Sequence, residues 1–558
     1  MMVRFLLSKN GDAANGNMYG SVPASPVDES HSTVVKALKD VKELVKKDLP
    51  IALDPQTISA VIDALHNSNS IDDRKMLLEH VLMLMANMPA DLQGTTKLQN
   101  AVVSFLYNDL THPPATYVSN TYAWRSADGS FNNVSVPDMG KSHTPYARSV
   151  QQVHPLPPHM LPDPGLVFDT LLKREKFVKH PAGLSSLMFS FAALVIHTCF
   201  RTSHTDWNIN ETSSYVDLSP LYGTDQKSQD MVRVRDGRGL LHPDSFAEDR
   251  LLLLPPAVCV LLVLFSRNHN YIARKLLDIN ERGAWVDPEQ IAHDDPKRNA
   301  KLVKQEEELF QTARLINCGW FANVVFSDYF AAILGMVRLG NSWSLNPFDE
   351  IRKSDHTFVE RGQGNAVSVE FNCLYRWHAT TSVEDEQWIT QMFGKFFGDK
   401  SPEDVTPQDF RKAAVKAAVQ QPDCDHWTFG NLKRQANGYF ADADLARFLQ
   451  DATSHPASAF KARGTPSVMR LNEVMGIEQS RRWGCCSLND FRKVCVWPHK
   501  SFLIRNNLSD PLSRSFFFQF LGLKAYSSFL EWNPDPEIAE AASKLYYGDI
   551  NNLELYGN

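Results

Sequence analysis

Residues 370–382 read EFNCLYRWHATTS, with Tyr375, Arg376, Trp377 and His378 set between a polar start and a polar end. At about 3.6 residues per turn, positions three apart on a helix lie roughly 60° apart. A helix here therefore puts Tyr375 and His378 on one face, with Arg376 and Trp377 pointing elsewhere. A phenol and an imidazole on one face can meet the same buried object. That object is either a cofactor or the core itself.

A second histidine lies in SSLMFSFAALVIHTCFRTSHTDWN (185–208). His197 sits inside a long apolar helical run, where a lone histidine reads first as a core residue. Paired with His378, about 180 residues away, it fits the two faces of a haem. In NETSSYVDLSPLYG (210–223), Ser213, Tyr215, Asp217 and Ser219 alternate. Such oxygen donors around one carboxylate can hold a hard cation such as calcium. A serine-rich turn before a helix explains the same spacing.

The chain has 558 residues, 43% hydrophobic and 22% charged, as expected of a globular protein with a large core. A net charge of −7 speaks against a nucleic-acid partner. The eight cysteines include no CxxC pair and most lie in apolar surroundings, so they read as buried free thiols in a reducing compartment. The N-terminus has too short an apolar run for a signal peptide. The longest apolar run, LLLLPPAVCVLLVLF (251–265), is too short to span a bilayer and reads as a buried helix behind a Pro-Pro entry. A cytoplasmic protein is expected, with lipid association left open.

Residues 1–30 lack any period and read as disordered. A helical pattern runs from 32 to 110, turn formers dominate 111–165, and helical signal returns from Leu166 to about Ala457. Strand signals are few. The expectation is a mainly α protein with one domain over 31–558.

The motifs together resemble a known family. EFNCLYRWH is similar to the haem-binding helix of the cyclooxygenases, VIHTCFRTS to their distal-histidine helix, and TSSYVDLSPLYG to the calcium loop of animal haem peroxidases. RNHNYIA, VVFSDYFAAILG and RRWGCCSLNDFRK follow in the same order. RSADGSFNN, TPYARSVQ and FLEWNPDPEIAEAASKLYYGDINNLELY resemble fungal linoleate dioxygenases, the peroxidase-like halves of linoleate diol synthases and psi-factor-producing oxygenases. The resemblance runs over nearly the whole chain from about residue 30 and implies the haem-dependent peroxidase fold.

Carried over by position, it implies His378 as the proximal ligand of the iron of haem b, His197 as the distal histidine, and Tyr375 as the radical-forming residue. It implies an unsaturated C18 fatty acid, linoleate first, as substrate, with O2 as co-substrate and a hydroperoxide as activator. A general haem peroxidase and an inactive relative are the rival readings, and a homo-oligomer is left open.

Three departures matter. Ala193 stands where cyclooxygenases carry a glutamine, so weak peroxidase turnover is expected. Thr198 stands where peroxidases place a calcium-binding aspartate, which should weaken a site of Ser213, Tyr215 (through its carbonyl), Asp217 and Ser219. The fungal relatives continue into a haem-thiolate cytochrome domain, whereas this chain stops at Asn558, so diol synthesis is not expected of it alone. Finally, VCVWPHKSFLIRNNLSDPLSRSFFFQ (494–519) separates two stretches that run together in the relatives. It reads as an insertion, either a retained intron or a surface loop.

Overall fold

The computed structural model describes residues 122–134, 136–153, 155–292, 296–335, 366–418, 423–494 and 523–556. The chain divides into Met1–Val118, which lies outside these residues, and Ser119–Asn558. The expectations for 1–30 and 32–110 fall outside the described residues, as does the insertion apart from Val494.

The described part is mainly helical, as expected. The helices that frame the site are α1 (Ser186–Cys199), α2 (Pro256–Ile279), α3 (Arg298–Asn323), α4 (Val369–Leu374), α5 (Asp442–Ser454), α6 (Arg470–Arg482), α7 (Leu488–Val494) and α8 (Pro536–Leu545). Among the described residues the sheet is minimal: β1 (Thr144–Pro145) runs antiparallel to β2 (Ile209–Asn210), with Thr144 opposite Asn210.

The Pro-Pro entry behaves as its chemistry predicts. Pro256 takes the first position of α2, where its missing N–H costs no hydrogen bond. Val258, Cys259, Val260, Leu262 and Val263 follow, all buried. The helix stops at Asn280, whose left-handed backbone (φ 39°) is held by its side-chain amide donating to the Trp285 carbonyl at 2.7 Å. No described helix is long and apolar enough to cross a membrane. Seven cysteines are described, all free, and all but Cys318 are buried.

Two apolar clusters form the core of Ser119–Asn558. One gathers Leu194, Val195, Tyr222, Val258, Val263, Phe310 and Phe321, where α2 packs on α1, α3 and α5. The other gathers Val167, Leu171, Ile477, Trp483, Ala542, Tyr546 and Leu553 around α6 and α8. α4 lies on the seam between them: Val369 and Cys373 belong to the second cluster, while Tyr375 and Trp377, just beyond it, pack on the first. Buried Glu370 pins α4 by accepting the N–H groups of Ser149 and Val150 at 3.0 and 3.1 Å.

Candidate active site

Local chemistry shapes the 368–381 stretch. Ser368 caps α4 by accepting the Phe371 N–H at 3.2 Å. The helix then ends early. Arg376 Nε donates to the Asn372 carbonyl at 3.2 Å, taking an acceptor that one more residue of helix would have used. Tyr375 becomes the C-cap residue, and a separate 3-10 turn opens at His378. The expected helical face shared by Tyr375 and His378 is therefore corrected. The break lets the phenol and the imidazole address different elements.

The Tyr375 hydroxyl meets that of Tyr329 at 2.5 Å. Tyr329 ends a π-helical turn, Val324–Tyr329, that continues α3. The rings of Phe371 and Trp377 each lie 5.1 Å from Tyr375, and Phe191 of α1 lies 5.5 Å from Tyr329. Burial pushes the Tyr375 phenol up to about 12, against a donated hydrogen bond from Tyr329. Burial and the neighbouring Tyr375 raise Tyr329 as well. Both phenols are thus protonated near neutral pH, so Tyr375 must give up a proton whenever it gives up an electron.

His378 faces α6. Its Nδ1 lies 2.8 Å from Glu473 Oε1, so Nδ1 carries the proton and Nε2 keeps its lone pair. Nε2 meets no hydrogen-bond partner among the described residues. Burial opposes charge on Glu473, but His378, Tyr556 and Arg376 together hold its carboxyl below the usual range.

His197, half-buried on α1, is oriented the same way by a weaker partner: its Nδ1 lies 2.8 Å from the Ala193 carbonyl. Burial first, and then the Arg250 guanidinium, push its imidazole down to about 4, against the pull of Glu248. Glu248 is itself buried and ion-paired to Arg250 at 2.8 Å and Arg201 at 2.7 Å. α1 and the 371–377 stretch run side by side in opposite directions. Phe200 meets Phe371 edge-on at one end (5.0 Å) and Phe189 meets Trp377 edge-on at the other (5.5 Å).

This donor set fits a haem. His378 offers Nε2 with a carboxylate behind its Nδ1, and His197 is a neutral imidazole whose Nε2 meets no hydrogen-bond partner among the described residues. Ala193 and Ile196 beside His197, and Tyr375 and Trp377 beside His378, pack on the first apolar cluster. Among the described residues no three His, Cys, Asp or Glu side chains cluster as a metal site.

The expected calcium loop is different. Ser213 and Asp217 do meet, but the Asp217 carboxylate and the Ser219 hydroxyl are committed to other partners. Asp217 is buried, with Oδ2 3.3 Å from Arg314 and 3.6 Å from Arg125, and Oδ1 accepting from Ser213 at 3.0 Å. Ser219 donates to the Thr198 carbonyl at 3.3 Å, and the Thr198 hydroxyl donates back to Leu194 at 2.8 Å. Arg125 also lies 4.5 Å from the Tyr215 ring centre. One carboxylate between two guanidiniums leaves a net positive site, and these residues do not fit a calcium ion.

Sequence reasoning missed Glu473, Tyr329, Arg250, Glu248, Arg125 and Arg314. Tyr329 and Arg125 lay inside quoted motifs. Glu473 lay in none.

The chain is 38% identical to linoleate 10R-lipoxygenase of Aspergillus fumigatus over 94% of its own length and 44% of that protein. It is 37% identical to linoleate diol synthase of Gaeumannomyces graminis over 87% of its length and 39% of the relative. It thus spans about half the length of the curated relatives it matches. In fold it resembles fatty acid alpha-dioxygenase of Arabidopsis thaliana, with a TM-score of 0.50, 14% identity, and coverage of 94% of this chain and 84% of that one. The sequence profile for animal haem peroxidases matches residues 124–207 and 254–503, which hold both histidines and Tyr375, and the chain belongs to the animal haem peroxidase family.

Proposed function

We propose that this chain is a fatty-acid dioxygenase that forms a hydroperoxide from linoleate or a similar unsaturated C18 acid. The observation that carries the reading is the Tyr375–Tyr329 phenol pair, caged by aromatic rings three residues from His378. The relatives' names support the substrate class, since two of them specify linoleate.

His378 would hold the haem through Nε2, with Glu473 fixing its tautomer and direction. The haem supplies one-electron oxidising power once it has met a hydroperoxide. His197, kept neutral by burial, takes the hydroperoxide proton as a base. With haem bound, Tyr375 would give up an electron to it and pass its phenolic proton through the Tyr329 hydroxyl to solvent water. The phenoxyl oxygen then removes a hydrogen atom from the acyl chain, which restores the phenol. Dioxygen adds to the carbon radical, and the resulting peroxyl radical takes a hydrogen atom from Tyr375 to give the hydroperoxide and renew the phenoxyl radical. The Trp377 ring, on the core side of Tyr375, would limit the access of water to that radical. A cytoplasmic setting is supported by the free thiols.

Tyr375→Phe tests the reading, because it removes one hydroxyl and leaves the ring. Haem content should stay at the level of the parent protein while hydroperoxide formation from linoleate, followed by chromatography, disappears. Oxygenation at the parent rate would remove Tyr375 from the mechanism.

A further inference from the structure

Tyr556 completes a line of hydrogen bonds that starts at His378. Its hydroxyl donates to Glu473 Oε2 at 2.6 Å, while Glu473 Oε1 accepts from His378 Nδ1 at 2.8 Å. Glu473 and Tyr556 are both buried, so water does not dilute either contact. The Arg376 guanidinium lies 5.3 Å from the Tyr556 ring centre and is held by Asn372 at 2.7 Å and Gln479 at 2.6 Å. Gly476, three residues after Glu473 on α6, leaves the room for this arrangement. A Cβ there would overlap both the Tyr556 hydroxyl and the Arg376 guanidinium. The glycine sits mid-helix, where alanine would favour the helix more, and the atoms nearest its missing Cβ belong to these two groups.

We propose that Tyr556 is a positioning residue for the axial imidazole, setting through Glu473 how much negative charge reaches His378. The proposal rests on His378 being the haem ligand. A carboxylate that accepts the Nδ1 proton makes Nε2 a stronger donor to the metal. A phenol hydrogen-bonded to the other carboxylate oxygen withdraws part of that charge. Glu473 therefore strengthens the axial ligand and Tyr556 moderates it, so removing each should act in opposite directions. A packing role alone gives no such opposition.

The test uses the full chain loaded with haem. It reads the ferrous iron–histidine stretching band by resonance Raman spectroscopy and the ferric/ferrous midpoint potential. Glu473→Gln is expected to lower the band frequency and raise the potential. Tyr556→Phe is expected to raise the frequency and lower the potential. Gly476→Ala, which drives the hydroxyl from its slot, should reproduce Tyr556→Phe and serves in its place if that variant does not fold. Shifts of one sign in all variants overturn the proposal, as do an unmoved band and potential in Tyr556→Phe and Gly476→Ala at full haem content. A His378→Ala protein that keeps the parent iron–histidine band would instead overturn the axial assignment, and the relay with it.

Discussion

His197 and His378 are the same residue type and differ in what their Nδ1 atoms meet: a backbone carbonyl in one case, a buried carboxylate in the other. That difference assigns opposite fates to their replacement. His378→Ala should lose haem, read as a missing Soret band. His197→Ala should keep haem and react with hydroperoxide about 10²–10⁴-fold more slowly, since the base is gone. The pH profile carries the same signature. A base works above its pKa, and burial has pushed His197 down to about 4. The rate of hydroperoxide reaction, followed at the Soret band, should stay level from pH 7 to pH 5 and fall only near pH 4. An ordinary histidine would already fail near pH 6.5. Tyr375, His197 and His378 were singled out because each lies in a compact motif. Glu473 was not, because its partner lies 95 positions away and only the fold brings the two together.

At the scale of elements, the loop before Ser219 shows how spacing can suggest a site that tertiary structure cancels. Its alternating oxygens were visible in the sequence, whereas Arg314, 97 positions from Asp217, was not connected to them. Val216 and Leu218, on either side of Asp217, both adopt left-handed backbone (φ 53° and 56°). Such strain costs of order 1–3 kcal/mol per residue and persists only where the surroundings hold it. Here the two arginines grip Asp217, and Cys318 donates to its carbonyl at 3.2 Å. A calcium chelator should therefore leave the melting temperature unchanged, and metal analysis after dialysis should find no stoichiometric calcium. Arg125→Met should destabilise the protein by about 1–2 kcal/mol in denaturant titration. The same limit applies to α4. The three-residue spacing of Tyr375 and His378 predicted one helical face, but the sequence alone did not reveal that the Arg376 side chain would take the Asn372 carbonyl and end the helix between them.

At the scale of the whole molecule, the helical class and the buried α2 followed from periodicity and from the prolines at its entry. The division of the core into two clusters depends on pairings between distant segments and left no local trace. The insertion expected at 494–519 is flanked by residues that meet each other. Arg492 Nε donates to the Lys524 carbonyl at 2.6 Å, and Asn489 donates to the Tyr526 carbonyl at 2.9 Å. The ends are already joined without the intervening segment, so closing that loop adds little to the stability of the rest. We propose that deleting 494–519 preserves haem content and melting temperature. A marked loss of haem in that variant would show that the segment belongs to the working fold.

The place of α4 on the seam has its own outcome when the protein is heated. Its early residues are anchored in one cluster, and the aromatic side chains just beyond it rest on the other. The 369–377 stretch thus acts as a keystone held from both sides. A slip between the clusters would strain the chain between Cys373, held on one side, and Tyr375, held on the other, while every helix stays wound. Oxygenation should fade on warming before circular dichroism registers any melting, which makes catalysis a finer thermometer of this protein than its helix content.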